Sequence, residues 1–180
     1  MIEDSAFAVP VMRVLSLGWG VQSFTLAAMM ALDETARADF LVHADTRHER
    51  AATYAFRRRW EPWLGEHGLN IVTVSGERTE VLVEAGAGGV MIPAFTVAHK
   101  PPGQRGQVKR QCTYNWKIAP IRRFIRQELA RRGRKATAGA VESWQGISLD
   151  EYHRMRDSDV KYIVNRYPLV DRRITRAGCE

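Results

Sequence analysis

Two groups of residues in this 180-residue chain are of the types and spacings that do chemistry. The first is Ser16-Leu17-Gly18-Trp19-Gly20-Val21-Gln22-Ser23. Glycines let backbone approach a ligand closely, and the free amides at a helix start attract an anion. Ser23 is placed to cap such a helix or to donate to a phosphate. The segment has neither a third glycine nor Gly-Lys-Ser/Thr, so it is neither the dinucleotide fingerprint nor the Walker sequence. A plain strand-to-helix turn fits the spacing as well as a phosphate cradle does. The second group is Lys109, Arg110, Cys112 and Lys117, where three cations would lower the thiol pKa and favour a reactive thiolate. Cys179 lies near Arg172, Arg173 and Arg176.

Other candidates are weaker. The five histidines, His43 and His48 included, lack zinc-type spacing, and His43 reads as a strand-end residue. Asp150-Glu151 could act as a base or hold Mg2+, but carboxylates opening a short helix explain it at lower cost. Two cysteines make neither a disulfide framework nor a four-cysteine metal site, and an iron–sulfur cluster within one chain is not expected.

The elements that must position these residues follow from periodicity. Residues 11–17 (VMRVLSL) form an apolar, β-branched run ending at the glycine turn, and 23–32 have helical spacing. Residues 40–44 read as a second strand, 49–64 as a helix and 70–74 as a third strand. Alternation of this kind predicts parallel βαβ units with right-handed crossovers and ligands at the carboxyl ends of the strands. Further on, 77–84 reads as a helix, 86–89 as a glycine break and 100–106 (KPPGQRG) as a loop that could form a lid. Residues 116–132 form a basic amphipathic helix, 137–147 contain a fourth strand, 149–156 a short helix, and Tyr167-Pro168-Leu169 a turn.

Length and composition, with 45% hydrophobic and 26% charged residues, predict one globular domain over 1–180. No apolar run approaches the roughly 20 residues needed to span a bilayer, and the acidic Met-Ile-Glu-Asp start is unlike a signal peptide. A cytoplasmic location is the expectation. Charge is uneven: residues 1–100 hold 9 basic against 12 acidic side chains, and 101–180 hold 18 against 8. This basic half suits phosphates or a nucleic acid, tRNA or DNA, although a solvated face would read the same way.

The glycine segment resembles the pyrophosphatase loop of the N-type ATP pyrophosphatases and phosphoadenosine-phosphosulfate (PAPS) reductases, whose phage-like and bacterial variants carry Gly-Gly-Gly-Val-Gln-Ser. Three later stretches agree in order. His43-Ala44-Asp45-Thr46 with Glu49, Thr53 and Tyr54 resembles the Ala-Asp-Thr-Gly-x-Glu…Thr-Tyr segment. Lys109 to Thr113 with Lys117-Ile118-Ala119-Pro120 resembles Arg-x-Cys-Thr…Lys-Ile-x-Pro. Gly146-Ile147-Ser148-Leu149-Asp150-Glu151 with Arg154 resembles Gly-Ile-x-x-Asp-Glu…Arg.

The resemblance implies an adenine-nucleotide alpha-hydrolase-like (Rossmann-like) α/β fold: an open, mainly parallel sheet of about five strands with helices on both faces. It implies ATP or PAPS at Ser16, Gly18, Gly20, Gln22 and Ser23, with Asp45 and Thr46 near the nucleoside and Gly146 and Arg154 completing the site. Arg110, Lys117 and Cys112 take the catalytic positions, and no metal ligand is named. The reaction is substrate adenylylation or sulfur transfer, with Mg2+ an open question. Departures are Trp19 in place of glycine, where a ring would crowd or stack on the ligand, Gln22 in place of aspartate, and Arg47 in place of glycine. The chain also lacks the Glu-Cys-Gly-Leu-His tail of PAPS reductases and reads as short at its C-terminus. A nucleotide- or nucleic-acid-binding module that has lost catalysis is the alternative, and oligomerisation is left open.

Overall fold

The computed structural model describes residues 10–47, 49–76 and 114–180, with the backbone of two short strands between them. Five strands make one all-parallel sheet: β1 (Met12–Ser16), β2 (Phe40–Ala44), β3 (Ile71–Val74), β6 (Val141–Trp144) and β7 (Ile163–Arg166). Their order is β3-β2-β1-β6-β7. The chain winds outward from β1 to β3, then crosses back to place β6 on the other side of β1. The strand order therefore reverses between β1 and β6, where a parallel sheet opens a crevice at its carboxyl edge. A separate two-residue pair, β4 (Phe95–Thr96) with β5 (Gly106–Gln107), is antiparallel.

Side-chain alternation along the central strand explains why the sheet is covered on both sides. Met12 and Val14 point to one face and Leu15 and Leu17 to the other, all at 1% exposure or less. On the Leu15 face pack α1 (Val21–Ala31), α2 (Ala51–Glu66) and the short α4 (Pro168–Asp171), through Leu26, Met30, Leu64 and Leu169. On the Met12 face packs α3 (Ala119–Arg131), through Ile125 and Leu129, preceded by a π-turn at Tyr114–Ile118. The expected fold class is the one observed. β2 is buried at all five positions, which is why it reads as a continuous apolar run.

Two local expectations are corrected. Tyr167-Pro168-Leu169 is not a turn but the start of α4: the fixed φ of proline suits a first helical position, and Pro168 takes it. The fifth strand, β7, falls in a stretch with a weak strand signal, because only Ile163 and Val164 of its four residues are β-branched. The expected helix at 77–84, the glycine break at 86–89 and most of the 100–106 loop lie outside the described residues.

Glu128 fastens α3 to the sheet. It is buried, and accepts hydrogen bonds from Arg131 (Nε, 2.7 Å) and Arg132 (Nε, 2.8 Å). Arg132 continues to Asp39 (3.0 Å) and to the Val11 carbonyl (3.2 Å) at the start of β1. The two guanidinium groups pull the Glu128 carboxyl from 4.5 to about 2. A depressed carboxylate stabilises the fold fully above its unfolded pKa and loses that contribution as pH falls toward the folded value. Glu128→Gln should therefore lower the melting temperature at pH 7 by a few degrees, about 1 kcal/mol after solvent screening. The gap from wild type should close as pH falls from 5 toward 2, read by melting curves across that range.

Candidate functional site

A cavity of about 650 Å³ opens at the carboxyl edge of the sheet, at the β1–β6 reversal. One wall is the start of α1. Gly20 is the N-cap (φ −84°, ψ 162°), and among the described residues no side chain caps the helix. Ser23 does not act as the cap: its hydroxyl donates back to the Gly20 carbonyl at 3.1 Å. The first-turn amides thus adjoin a cavity lined by Gly18, Gly20, Gln22 and Ser23, where the partial positive charge of a helix terminus is available to an anion.

The loop after β6 closes on this turn without side chains between. A Cβ at Gly146 would stand 2.6 Å from the Ser23 nitrogen and 2.7 Å from its Cα, so only glycine fits. Gln22 then locks the two together, its Nε2 donating to Ser148 Oγ at 2.8 Å. Ser148, fully buried, donates to Asp150 Oδ1 (2.6 Å), which also accepts the Arg176 amide (2.9 Å). Hydrogen bonds from Ser148 and Arg176 hold the Asp150 carboxyl below its ordinary range. A bond from Gln22 does the same for Glu151, which also pairs with Arg154. The glutamine in place of aspartate is therefore part of the scaffold of the turn.

Four cations among the described residues line the cavity; three have a carboxylate partner, and Arg156 donates to the His153 and Met155 carbonyls (2.7 Å each). Lys117 Nζ sits 2.8 Å from Glu49, Arg122 pairs with Asp159, and Arg154 with Glu151. Burial pushes the Glu49 carboxyl up, but the Lys117 bond and charge outweigh it and leave the group below its usual range.

Of the residues expected at the site, Ser16, Gly18, Gly20, Gln22, Ser23, Lys117, Gly146 and Arg154 all line this one cavity. Asp45 and Thr46 do not. Asp45 Oδ1 accepts the Arg47 amide (2.8 Å) and the Tyr54 hydroxyl (2.9 Å), and Thr46 donates to Glu49 (3.2 Å), so both organise the turn into α2. Arg110 and Cys112 lie outside the described residues, as do His48 and His99.

Three readings of single residues change. Trp19 does not crowd the cavity: at 4% exposure its ring is buried in the core on the α1 face. Its φ of 57° and that of Arg47 (59°) show that both positions keep the left-handed backbone glycine favours, although each bears a side chain. Cys179 is not an activated thiolate despite three nearby arginines, because burial against the core raises its pKa, and it does not line the cavity. His43 is more than a strand-end residue. It lines the cavity at 2% exposure, its Nδ1 donates to the Leu17 carbonyl (3.1 Å), and Nε2 has no partner among the described residues. Burial lowers its pKa, so the neutral ring is favoured.

Sequence reasoning also missed Ser143, Gln145 and Asn165, which line the cavity from β6 and β7. The available signal was a run of apolar residues at alternate positions turning polar at the carboxyl end of each strand. Among the described residues, no three His, Cys, Asp or Glu side chains are grouped to hold a metal ion, and no helix is long and apolar enough to cross a membrane.

No family model matches the sequence, and no curated protein matches it. Solved structures do. The crystal structure of phosphoadenylyl-sulfate reductase from Candida auris, a phosphate complex, superposes with a TM-score of 0.52 at 15% identity, covering 92% of this chain and 68% of that one. This chain has a PAPS-reductase-like fold.

Two glycines of the cavity wall should respond oppositely to a methyl group. Gly146→Ala drives Cβ into backbone that cannot swing aside, and should cost about 1–3 kcal/mol. Gly20→Ala meets nothing within 4 Å at a permissive φ and should leave the melting temperature within a degree or two of wild type.

Proposed function

We propose that this chain is an adenine-nucleotide-binding enzyme that takes ATP or PAPS in the 650 Å³ cavity, its anionic group seated on the first turn of α1. The observation that carries the reading is that uncapped helix start, at the strand-order reversal of a PAPS-reductase-like sheet. Gly18, Gly20 and Ser23 contact the anion, with Ser16, Gln22 and Gly146 shaping the seat. Lys117 and Arg154 turn from their carboxylate partners toward the ligand as its charge arrives. Amides and cations fixed in place stabilise charge developing on phosphorus or sulfur without covalent chemistry. With ATP, an acceptor oxygen would attack the α-phosphorus and pyrophosphate would leave. With PAPS, a thiolate, for which Cys112 beside Arg110 is the candidate, would attack the sulfo sulfur to form an S-sulfocysteine as the sulfur–oxygen bond to the phosphate breaks and adenosine 3′,5′-bisphosphate leaves. Asp150 and Glu151 are engaged by Ser148, Gln22 and Arg154, so no step here is routed through Mg2+.

A second reading, a binding module without catalysis that contacts tRNA or DNA through residues 101–180, draws support from the 18 basic against 8 acidic side chains in that half. Thermal unfolding of the full chain with ATP, PAPS, AMP or no ligand separates the readings. A nucleotide at 100 times its dissociation constant adds about 2.7 kcal/mol, a clear rise in melting temperature. No rise with any of the three, alongside salt-sensitive RNA or DNA binding, would overturn the enzyme reading in favour of the module.

A further inference from the structure

The outer side of α3 carries more positive charge than the fold needs. Between Tyr114 and Ala138 the sequence holds eight Lys or Arg and one acid, Glu128. Packing uses the inner side of the helix: Ile125 and Leu129 are buried, and Glu128 and Arg132 tie the helix to the start of β1. The opposite side presents Arg123, Arg126 and Arg131 and, just past the last turn, Arg134 and Lys135, all exposed. Only Gln127 and Ala130 interrupt them. Lys161, exposed ahead of β7, is brought to the same end by the bond from the Gly139 amide to its carbonyl (3.0 Å).

Little neutralises this surface. The single carboxylate of Glu128 is divided between Arg131 and Arg132. Arg126, Arg134, Lys135 and Lys161 have no carboxylate partner among the described residues. Arg122 and Arg123 stand four and three residues before Arg126, and like charges at those spacings destabilise a helix. A face selected for solubility alone mixes both signs, as α2 does with Arg57 paired to Glu61 (2.7 Å).

We infer that the outer side of α3, continued by Arg134, Lys135 and Lys161, docks the phosphate backbone of a double-stranded nucleic acid. Guanidinium and ammonium groups donate charge-assisted hydrogen bonds to phosphate oxygens. From Arg123 to Arg131 the helix advances about 12 Å, a length over which a duplex presents about seven phosphate charges. Bases of a single strand need rings to stack on, and the exposed rings among the described residues are Tyr114, ahead of the helix, and Tyr152. The apolar side of α3 is already in the core, so nothing is left to enter a lipid surface. Gln127 and Ala130 supply no apolar anchor of the kind found at the centre of a protein interface. None of the six cations lines the nucleotide cavity, so a duplex and a nucleotide do not compete for them. This inference rests on the nucleic-acid contact of the second reading, not on its loss of catalysis, and specifies the surface and the form of the partner.

The test is fluorescence anisotropy of the full chain with a labelled DNA duplex of about 24 base pairs, the matching RNA duplex and one separated DNA strand, from about 50 to 200 mM salt. Four or five phosphate contacts give log affinity a slope of about −4 on log salt, a fall of about two-hundredfold over that range. Arg126→Gln with Arg134→Gln, and separately Lys135→Gln with Lys161→Gln, should each flatten the slope by about two and weaken binding about tenfold or more. Arg58→Gln with Arg59→Gln removes the same charge from exposed positions of α2, across the sheet, and should leave affinity within about twofold. Melting curves confirm that each variant folds, and either α3 pair suffices if the other does not. Tight binding of either duplex with this pattern supports the surface, and the tighter of the two identifies its source. Duplex binding kept by the α3 variants, or weakened equally by the α2 variant, would overturn the surface and leave a nucleic-acid contact elsewhere on the chain. Tighter binding of the single strand than of either duplex would overturn the double-stranded partner. Failure to bind any of the three, whether or not vesicles of acidic phospholipid bind, would overturn the nucleic-acid contact itself.

Discussion

The site depends on one close approach, the backbone of Gly146 against the first turn of α1. With no side chain between them, the loops that follow β1 and β6 act as one wall, and the Gln22–Ser148 bond fixes their register. Ser148 carries the restraint on to Asp150, and Asp150 to the Arg176 amide, so the C-terminal segment is tied to the same point. A helix start held this rigidly can aim its amides with little reorganisation, which is what stabilising an arriving charge requires.

The charges around that wall are arranged differently from the amides. Lys117, Arg122 and Arg154 already have carboxylate partners, while the start of α1 has no capping side chain. An anion entering the cavity would have to compete with carboxylates for these three cations but not for Arg156, whose guanidinium donates to backbone carbonyls. Such pairs at a half-exposed rim are individually weak, so the competition is an even one.

Much of this was legible in the sequence. The runs at 11–17 and 40–44 announce β1 and β2 because strands buried by neighbours on both sides read as unbroken apolar segments, while the edge strand β3, with no fully buried residue, is announced by its β-branched run Ile71-Val72-Thr73-Val74. β7 stayed hidden because its β-branched run is only Ile163-Val164 before the chain turns polar at Asn165 and Arg166. Trp19 and Arg47 show a different limit. Each departs from glycine in composition and not in conformation, since both retain a φ near 58°, and only coordinates reveal that Trp19 turns into the core. Asp45 and Thr46 illustrate the reverse: the motif survives while its polar atoms serve the turn into α2. The Cys179 environment misleads for a related reason, because neighbouring arginines in sequence count for less than burial in space.

The central claim is that the start of α1 is an anion seat. The most direct measurement is an amide proton–nitrogen NMR titration of the full chain with AMP, with inorganic phosphate in parallel. The amides of Val21, Gln22 and Ser23 should show the largest saturable shifts with both ligands, moving downfield as they take up hydrogen bonds. Shifts confined to the arginines and backbone of α3, or no saturable shift at residues 20–23, would contradict it.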